Sequence, residues 1–483
     1  MTSLDDISTA HPERQHYGVT FAVLALAGAA YAMLQSTVAP ALPVIQEDLH
    51  ASSTAAAWVF TGYLLSASVL TPIVGRLGDM FGKERTLVVS LAVLAVGVLM
   101  AALASSIGML IFARVIQGSG GAIFPLAFGI IRDEFPAEKA AQGIALISAI
   151  LGIGGGLGIV LAGPIISGFG YHWLFWFPLV AVVGATLAAI FFVPESPVKS
   201  PGEVDWAGAA LLSAWLVLLL LGISQTAEWG WGDLRVWGLI VASLVMLAGW
   251  VRVESGRREP LVDMAMMRIR SVWTVNAAAF LVGAGMYSSF ILVPEFTETP
   301  ASSGYGYGAT VTEAGLFLLP ATLAMLLVSP VAGWLTTRIG ARVILVAGCA
   351  VTTLSFTLMA VAHSAQADMY VATALMGTGI ALAFSSLANL IVQAVPPSQT
   401  GVATGMNTVM RTLGGSVGGQ VGASLIAGTV VAANLPTESG YTLAFLFAAG
   451  ACLLAALASL AVPRGGDAAA IGLAVPAPAG ATD

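Results

Sequence analysis

Residues 75–85 read GRLGDMFGKER. Arg76, Asp79, Lys83, Glu84 and Arg85 crowd into this short stretch of a chain that is only 9% charged, and long apolar runs flank it on both sides. The same alternation extends outward in both directions. Apolar runs of about twenty residues recur from end to end, each long enough to cross a hydrocarbon core of roughly 30 Å as a helix. The 483 residues are 58% hydrophobic, with a mean hydropathy of +0.92, whereas a soluble domain carries about a quarter charged residues. The composition fits an all-α polytopic membrane protein. A transmembrane β-barrel would show short alternating segments instead of continuous apolar runs.

Fourteen spans are expected, near 18–45, 54–75, 86–105, 108–131, 140–167, 172–193, 206–226, 236–253, 272–297, 311–337, 342–363, 368–394, 401–430 and 440–463. An even number puts both termini on one side. Of the eighteen Lys and Arg residues, fifteen fall in the tails or in loops on that side, Arg235 falls opposite, and Arg114 and Arg411 fall within spans. The positive-inside rule then places both termini in the cytoplasm, and the knot becomes a short cytoplasmic loop between spans 2 and 3. Residues 1–17 read as a polar cytoplasmic tail without the features of a secretory signal. Residues 464–483, rich in Ala, Gly and Pro, read as a disordered tail.

The knot has an echo in GWLTTRIGAR, which begins at Gly333. Pairing Gly75 with Gly333 also pairs Leu77 with Leu335 and Gly82 with Gly340. The same offset of about 258 residues carries QGIALISAILGIGG, from Gln142, onto TGVATGMNTVMRTLGG, from Thr400. Gly143 then falls on Gly401, and Gly156 on Gly414. Two regions agreeing on one offset indicate two related six-helix halves of the same topology, a parallel repeat about an axis along the membrane normal. The expected organisation is a six-helix bundle over 18–193, a linker with inserted spans 7 and 8 over 194–271, and a second bundle over 272–463. Two such bundles create a site at their interface and a rigid-body way of exposing it to one face at a time.

Several motifs in the same order resemble the major facilitator superfamily, in particular its fourteen-span drug:proton antiporter branch. GRLGDMFGKER is similar to the family's loop 2–3 motif, RVIQGSGGA to its span-4 motif, LQSTVAPALPVI to the branch's span-1 signature, and GVATGMNTVMRTLGGSVGG to its span-13 signature. Three departures stand out. Gln35 occupies the place of a span-1 aspartate, and Thr337 the aspartate place of the second loop motif. In span 5, Ile159 takes the proline place, with Gly163-Pro164 one step further on.

The resemblance implies that Asp79 bridges to the start of span 13 in the outward-open state, forming a gate with Gly75, Gly82, Lys83, Arg85 and Asp133. Lys83 and Arg85 are expected to pair with Asp133 or Glu134. Arg114 takes a role in proton transfer on the family reading; otherwise it is a structural arginine holding spans 1 and 4 together, with Gln35 as its expected partner. Glu295 is the carboxylate set deepest in an apolar span. It is either the proton-coupling group or a vestibule residue in contact with water. Candidate cavity residues are Tyr31, Gln35, Phe124, Tyr287, Phe290, Asn407 and Arg411, since aromatics with a few polar groups suit amphipathic solutes; the aromatics face lipid or core on the alternative reading.

The five histidines do not cluster, Cys349 and Cys452 sit in apolar spans, and HExxH, GxSxG and the phosphate-binding GxxxxGK[ST] are absent. No metal, cofactor, enzymatic activity or nucleic-acid partner is implied. The expectation is a monomeric secondary transporter, surrounded by lipid in a prokaryotic cytoplasmic membrane, exporting amphipathic organic compounds in exchange for protons. The alternatives are an uncoupled facilitator or metabolite permease of the same fold, and a non-transporting membrane receptor or enzyme.

Overall fold

The computed structural model describes residues 17–38, 40–51, 53–196, 198–199, 205–257, 260–428 and 436–463. The expected terminal tails lie outside these residues, apart from Tyr17. The described residues form helices joined by turns and loops, without a strand, as a bilayer demands of spanning segments that must satisfy every backbone polar group internally.

Among the described residues, thirteen helices are long and apolar enough to cross a membrane. The remaining expected span, Thr400–Ala427, has 28 residues, ample length. Its Thr, Gly, Asn, Arg and Gln content keeps it from qualifying on composition, yet it packs along span 9 and span 2 as part of the same assembly.

Breaks fall where the chemistry requires them. Span 1 runs only over Tyr17–Ser36, and a short separate helix, Leu42–Asp48, replaces the continuation expected to residue 45. Pro40 lies in the gap, and proline can neither donate to the ladder nor continue the helix. Span 4 is interrupted by a 3-10 turn, Gly118–Ala122, between Ile107–Gln117 and Ile123–Glu134. Span 10 breaks at Leu318, just before Pro320. Span 5, in contrast, is one helix over Ala137–Phe169 with Pro164 inside it.

The helices pack by one rule applied twice. Span 1 packs on spans 5 and 6, span 3 on span 6, and span 4 on spans 2 and 3; eight spans later, span 9 packs on 13 and 14, span 11 on 14, and span 12 on 10 and 11. The two halves meet along span 2 against span 13 and along span 5 against span 10. Inserted spans 7 (Trp206–Ser224) and 8 (Leu234–Gly256) pack on each other, and span 7 also lies against spans 2 and 13. Span 8 is the most exposed of all, with only 17% of its central window buried.

Candidate functional site

Two features lie between the halves: a clamp at one end and a cavity reaching the other. The clamp is built on the knot. Span 2 (Ser53–Phe81) ends at Gly82, whose φ of +115° reverses the chain into span 3, Lys83–Ala102; an L side chain rarely adopts this conformation. The turn leaves Asp79 fully buried against the other half. Its Oδ1 accepts from the Gly401 N–H at 3.1 Å and its Oδ2 from the Val402 N–H at 3.0 Å. These belong to the first turn of Thr400–Ala427, whose leading N–H groups lack partners within the helix and favour an anion. The backbones touch closely enough to need glycine: a Cβ on Gly75 would lie 2.5 Å from the Gly401 carbonyl oxygen.

Lys83, also fully buried, places Nζ 2.7 Å from Asp133 Oδ2 and 3.9 Å from Asp79 Oδ1. The Ser196 hydroxyl hydrogen-bonds the same Asp133 carboxylate. Arg85 differs from expectation. It turns outward to Glu195 at 3.3 Å rather than to Asp133 or Glu134, because the adjacent turn brings the Glu195 carboxylate against Gly82.

Arg132, one of the cations on the side assigned to the cytoplasm, is a clamp residue as well. It donates to Thr400 Oγ1 at 2.7 Å and to the Val395 carbonyl at 2.8 Å, across the two halves. Asn389 adds a third tie, donating to the Ala141 carbonyl at 3.2 Å.

The cavity has a volume of about 490 Å³ and is walled by spans 1, 2, 5, 7, 9, 10 and 13. Its lower lining includes Gln35 and Tyr287, and Gln35 donates to the Tyr287 hydroxyl at 3.5 Å. Its far end carries Glu295 and Glu298, both exposed, one turn apart near the end of span 9. Glu295 is therefore a cavity-facing carboxylate in contact with solvent. Its position is fixed by its neighbour Phe296, whose ring packs edge-on against Tyr307, His363 and Tyr441 at 5.3–5.5 Å.

Span 7 enters the site, an outcome the expected organisation does not include. Leu220, Ile223 and Ser224 line the cavity, and Ser224 Oγ lies 3.4 Å from Thr61 Oγ1. The loop after span 7 reaches span 13, with Thr226 Oγ1 3.3 Å from Gln420 Oε1 and Trp231 Nε1 donating to Ser424 Oγ at 2.9 Å. The only hint was the polar trio Ser224, Gln225 and Thr226 closing an otherwise apolar run.

The remaining candidates divide. Tyr31, Phe124 and Arg411 line a small pocket beneath the cavity floor. Tyr31 and Phe124 are nearly buried and meet edge-on at 6.2 Å. Asn407 does not reach the cavity; it donates to Asn276 Oδ1 at 2.9 Å and ties span 13 to span 9, the ordinary fate of an amide inside a span. The side chain of Phe290 lies outside the described residues. Arg114 does not pair with Gln35. Its guanidinium donates to the carbonyls of Val59 and Leu34 at 3.2 Å and to Gln117 Oε1 at 2.6 Å, and it sits 4.1 Å over the Tyr63 ring.

Comparison with known proteins agrees with this architecture. Residues 24–419 match the Major Facilitator Superfamily. The tetracenomycin C resistance and export protein of Streptomyces glaucescens is 31% identical over 77% of this chain and 69% of its own length. Multidrug resistance protein 3 of Bacillus subtilis is 27% identical over 77% of this chain and 72% of its own length. The human organic anion transporter TETRAN shares the fold, with a TM-score of 0.65 over 93% of this chain and 99% of that one at 16% identity. The chain belongs to the Major Facilitator Superfamily of multi-pass membrane transporters.

Proposed function

We propose that the chain is a proton-driven exporter of amphipathic organic compounds, with the clamped end and both termini in the cytoplasm of a prokaryotic cell and the cavity opening outward. One observation carries this reading: the halves are sealed at the Asp79 end by buried, charge-assisted contacts, while the cavity between them runs to exposed Glu295 and Glu298 at the other. An alternating-access cycle would need this as one of its two states, because the contacts of Asp79, Arg132 and Asn389 join the halves and would break as that end opens. The relatives named for export and multidrug resistance support the substrate class.

Glu295 is the proposed proton carrier. It faces the cavity solvent in this state, and closure of the outer end would enclose it. Arg114 keeps spans 1, 2 and 4 together beneath the cavity. Inside-out vesicles test the reading. Acidifying their interior should drive uptake of a fluorescent amphipathic dye, and collapsing the gradient should stop it. Flux that ignores the gradient would instead establish the uncoupled facilitator.

A further inference from the structure

The cavity floor carries a charge opposite to that at its mouth. Arg411 on span 13 is only 8% exposed and lines the small pocket under the cavity. Gln35, Tyr287 and Thr412 line both pocket and cavity, so the two spaces adjoin. The pocket holds about 20 Å³, room for one water-sized group.

The guanidinium lies 4.7 Å over the Phe384 ring and hydrogen-bonds the Tyr287 side chain, while its buried Nε makes no hydrogen bond. Among the described residues, no ion pair includes Arg411. Arg114 is fully buried, two carbonyls and Gln117 accept from it, and it lines neither the cavity nor the pocket. Each arginine keeps one buried nitrogen without a partner, but a buried guanidinium within a span is costly without a counter-charge, and Arg411 is the one of the two that lines the pocket.

At the mouth stand Glu295 and Glu298. Eight residues of helix separate Tyr287 from Glu295, about 12 Å along the axis. Between these poles the lining is largely apolar, including Phe60, Leu64, Ile223, Met286 and Ile291.

We propose that Arg411 seats an acidic oxygen of the cargo, a carboxylate or phenolate, so that the preferred substrates are acid-bearing amphipaths, best of all amphoteric ones whose basic group faces Glu295 and Glu298. The inference rests on the export reading above and specifies its substrate class. The guanidinium fork supplies two directed donors to such a group, and the cargo's charge neutralises one that the protein leaves uncompensated. Tyr31 and Gln35 come from the first half and Arg411 from the second, so an acid seated there touches both.

The test uses an amino-xanthene dye as its free carboxylic acid and as its methyl ester, with the purified full chain in nanodiscs. The acid should bind at least about tenfold more tightly than the ester, the range expected when a charge-assisted contact replaces a neutral one. Arg411→Gln should erase that preference by weakening the acid while leaving the ester within about twofold, and Arg411→Lys should keep part of it. Equal wild-type affinities, no measurable binding of the acid, or equal losses for both dyes in Arg411→Gln would overturn the proposal. The wild-type ratio decides even if the variants misfold. Gradient-driven transport of both dyes without acid preference would sink the Arg411 site and leave the export reading standing; acid-selective binding without any gradient-driven flux would do the reverse.

Discussion

Replacing Asp79 with Asn should open the clamped end without unfolding the protein. The carboxylate accepts two backbone N–H groups of the opposite half, at 3.1 and 3.0 Å, in a fully buried position. Hydrogen bonds to a charged acceptor are worth about 1.5–3 kcal/mol each. The amide keeps one carbonyl acceptor, but its NH₂ then faces the second N–H, leaving a buried donor unsatisfied at about 1–3 kcal/mol. The smaller desolvation cost of a neutral side chain offsets part of this. A net weakening of about 2–4 kcal/mol shifts the closed-to-open ratio at that end by roughly 30-fold to 1,000-fold.

Because the lost contacts join the halves, the two bundles themselves should keep nearly their original melting temperature. Spin labels at Glu138 and Arg338 would read the change. Both are exposed, and they lie beyond the contact that sets Gly333 of span 10 against Gln142 and Ala145 of span 5. Cys349 and Cys452 are buried and should resist labelling. The variant should show a new population at longer distance and slower export. A distance distribution and turnover matching wild type would refute the clamp.

Lys83→Ala strands Asp133, whose side chain is 2% exposed, without its cation; about 3–5 kcal/mol of stability should be lost and the melting temperature should fall clearly. Arg85→Ala, from a side chain 73% exposed, should cost less than about 1 kcal/mol; equal melting shifts for the two would contradict the assignment. Gly75→Ala should lengthen the Glu138–Arg338 distance, because the new methyl group meets the Gly401 carbonyl, although alanine favours the helix by about 1 kcal/mol; unchanged distances would mean that the contact has slack. Glu295→Gln should abolish gradient-driven efflux while dye binding persists; full gradient-driven transport in that variant would exclude Glu295 as the proton carrier.

Much of this arrangement was legible in the sequence because it depends on periodicity and spacing. Apolar run lengths give the spans, and the 258-residue offset gives the paired bundles whose helices follow one packing rule. Asp79 was traceable to span 13 through the family motif. Partners supplied by backbone were invisible: the carbonyls that accept from Arg114 and the one that Arg132 reaches carry no side-chain signature. Polar residues within spans misled in one direction. Asn407 was read as a cavity wall, but its requirement for a partner is met by Asn276 on the neighbouring helix. The role of inserted span 7 in the cavity wall is not legible, because nothing in a largely apolar run of Leu, Val and Ala tells a cavity face from a lipid face.

The repeat also explains why there is one clamp and not two. Under the offset, the Gly75–Gly401 contact maps onto Gly333–Gly143, and Gly333 does pack beside Gly143, on Gln142 just before it and Ala145 two residues after it. The chemistry does not follow the geometry. Thr337 stands in the place of Asp79, exposed, with its hydroxyl turned back to the Trp334 carbonyl at 2.7 Å. The donors are gone as well. Gly401 and Val402 lie in the first turn of a helix that starts at Thr400, whereas span 5 starts at Ala137, so the N–H groups of Gly143 and Ile144 already serve the helix itself. A carboxylate restored by Thr337→Asp would find no free N–H groups to cap. It should therefore neither shorten the Glu138–Arg338 distance nor raise the melting temperature, and it should not rescue Asp79→Asn. Rescue by that second substitution would show that the aspartate acts through charge alone and that the helix start at Thr400 is incidental to the latch.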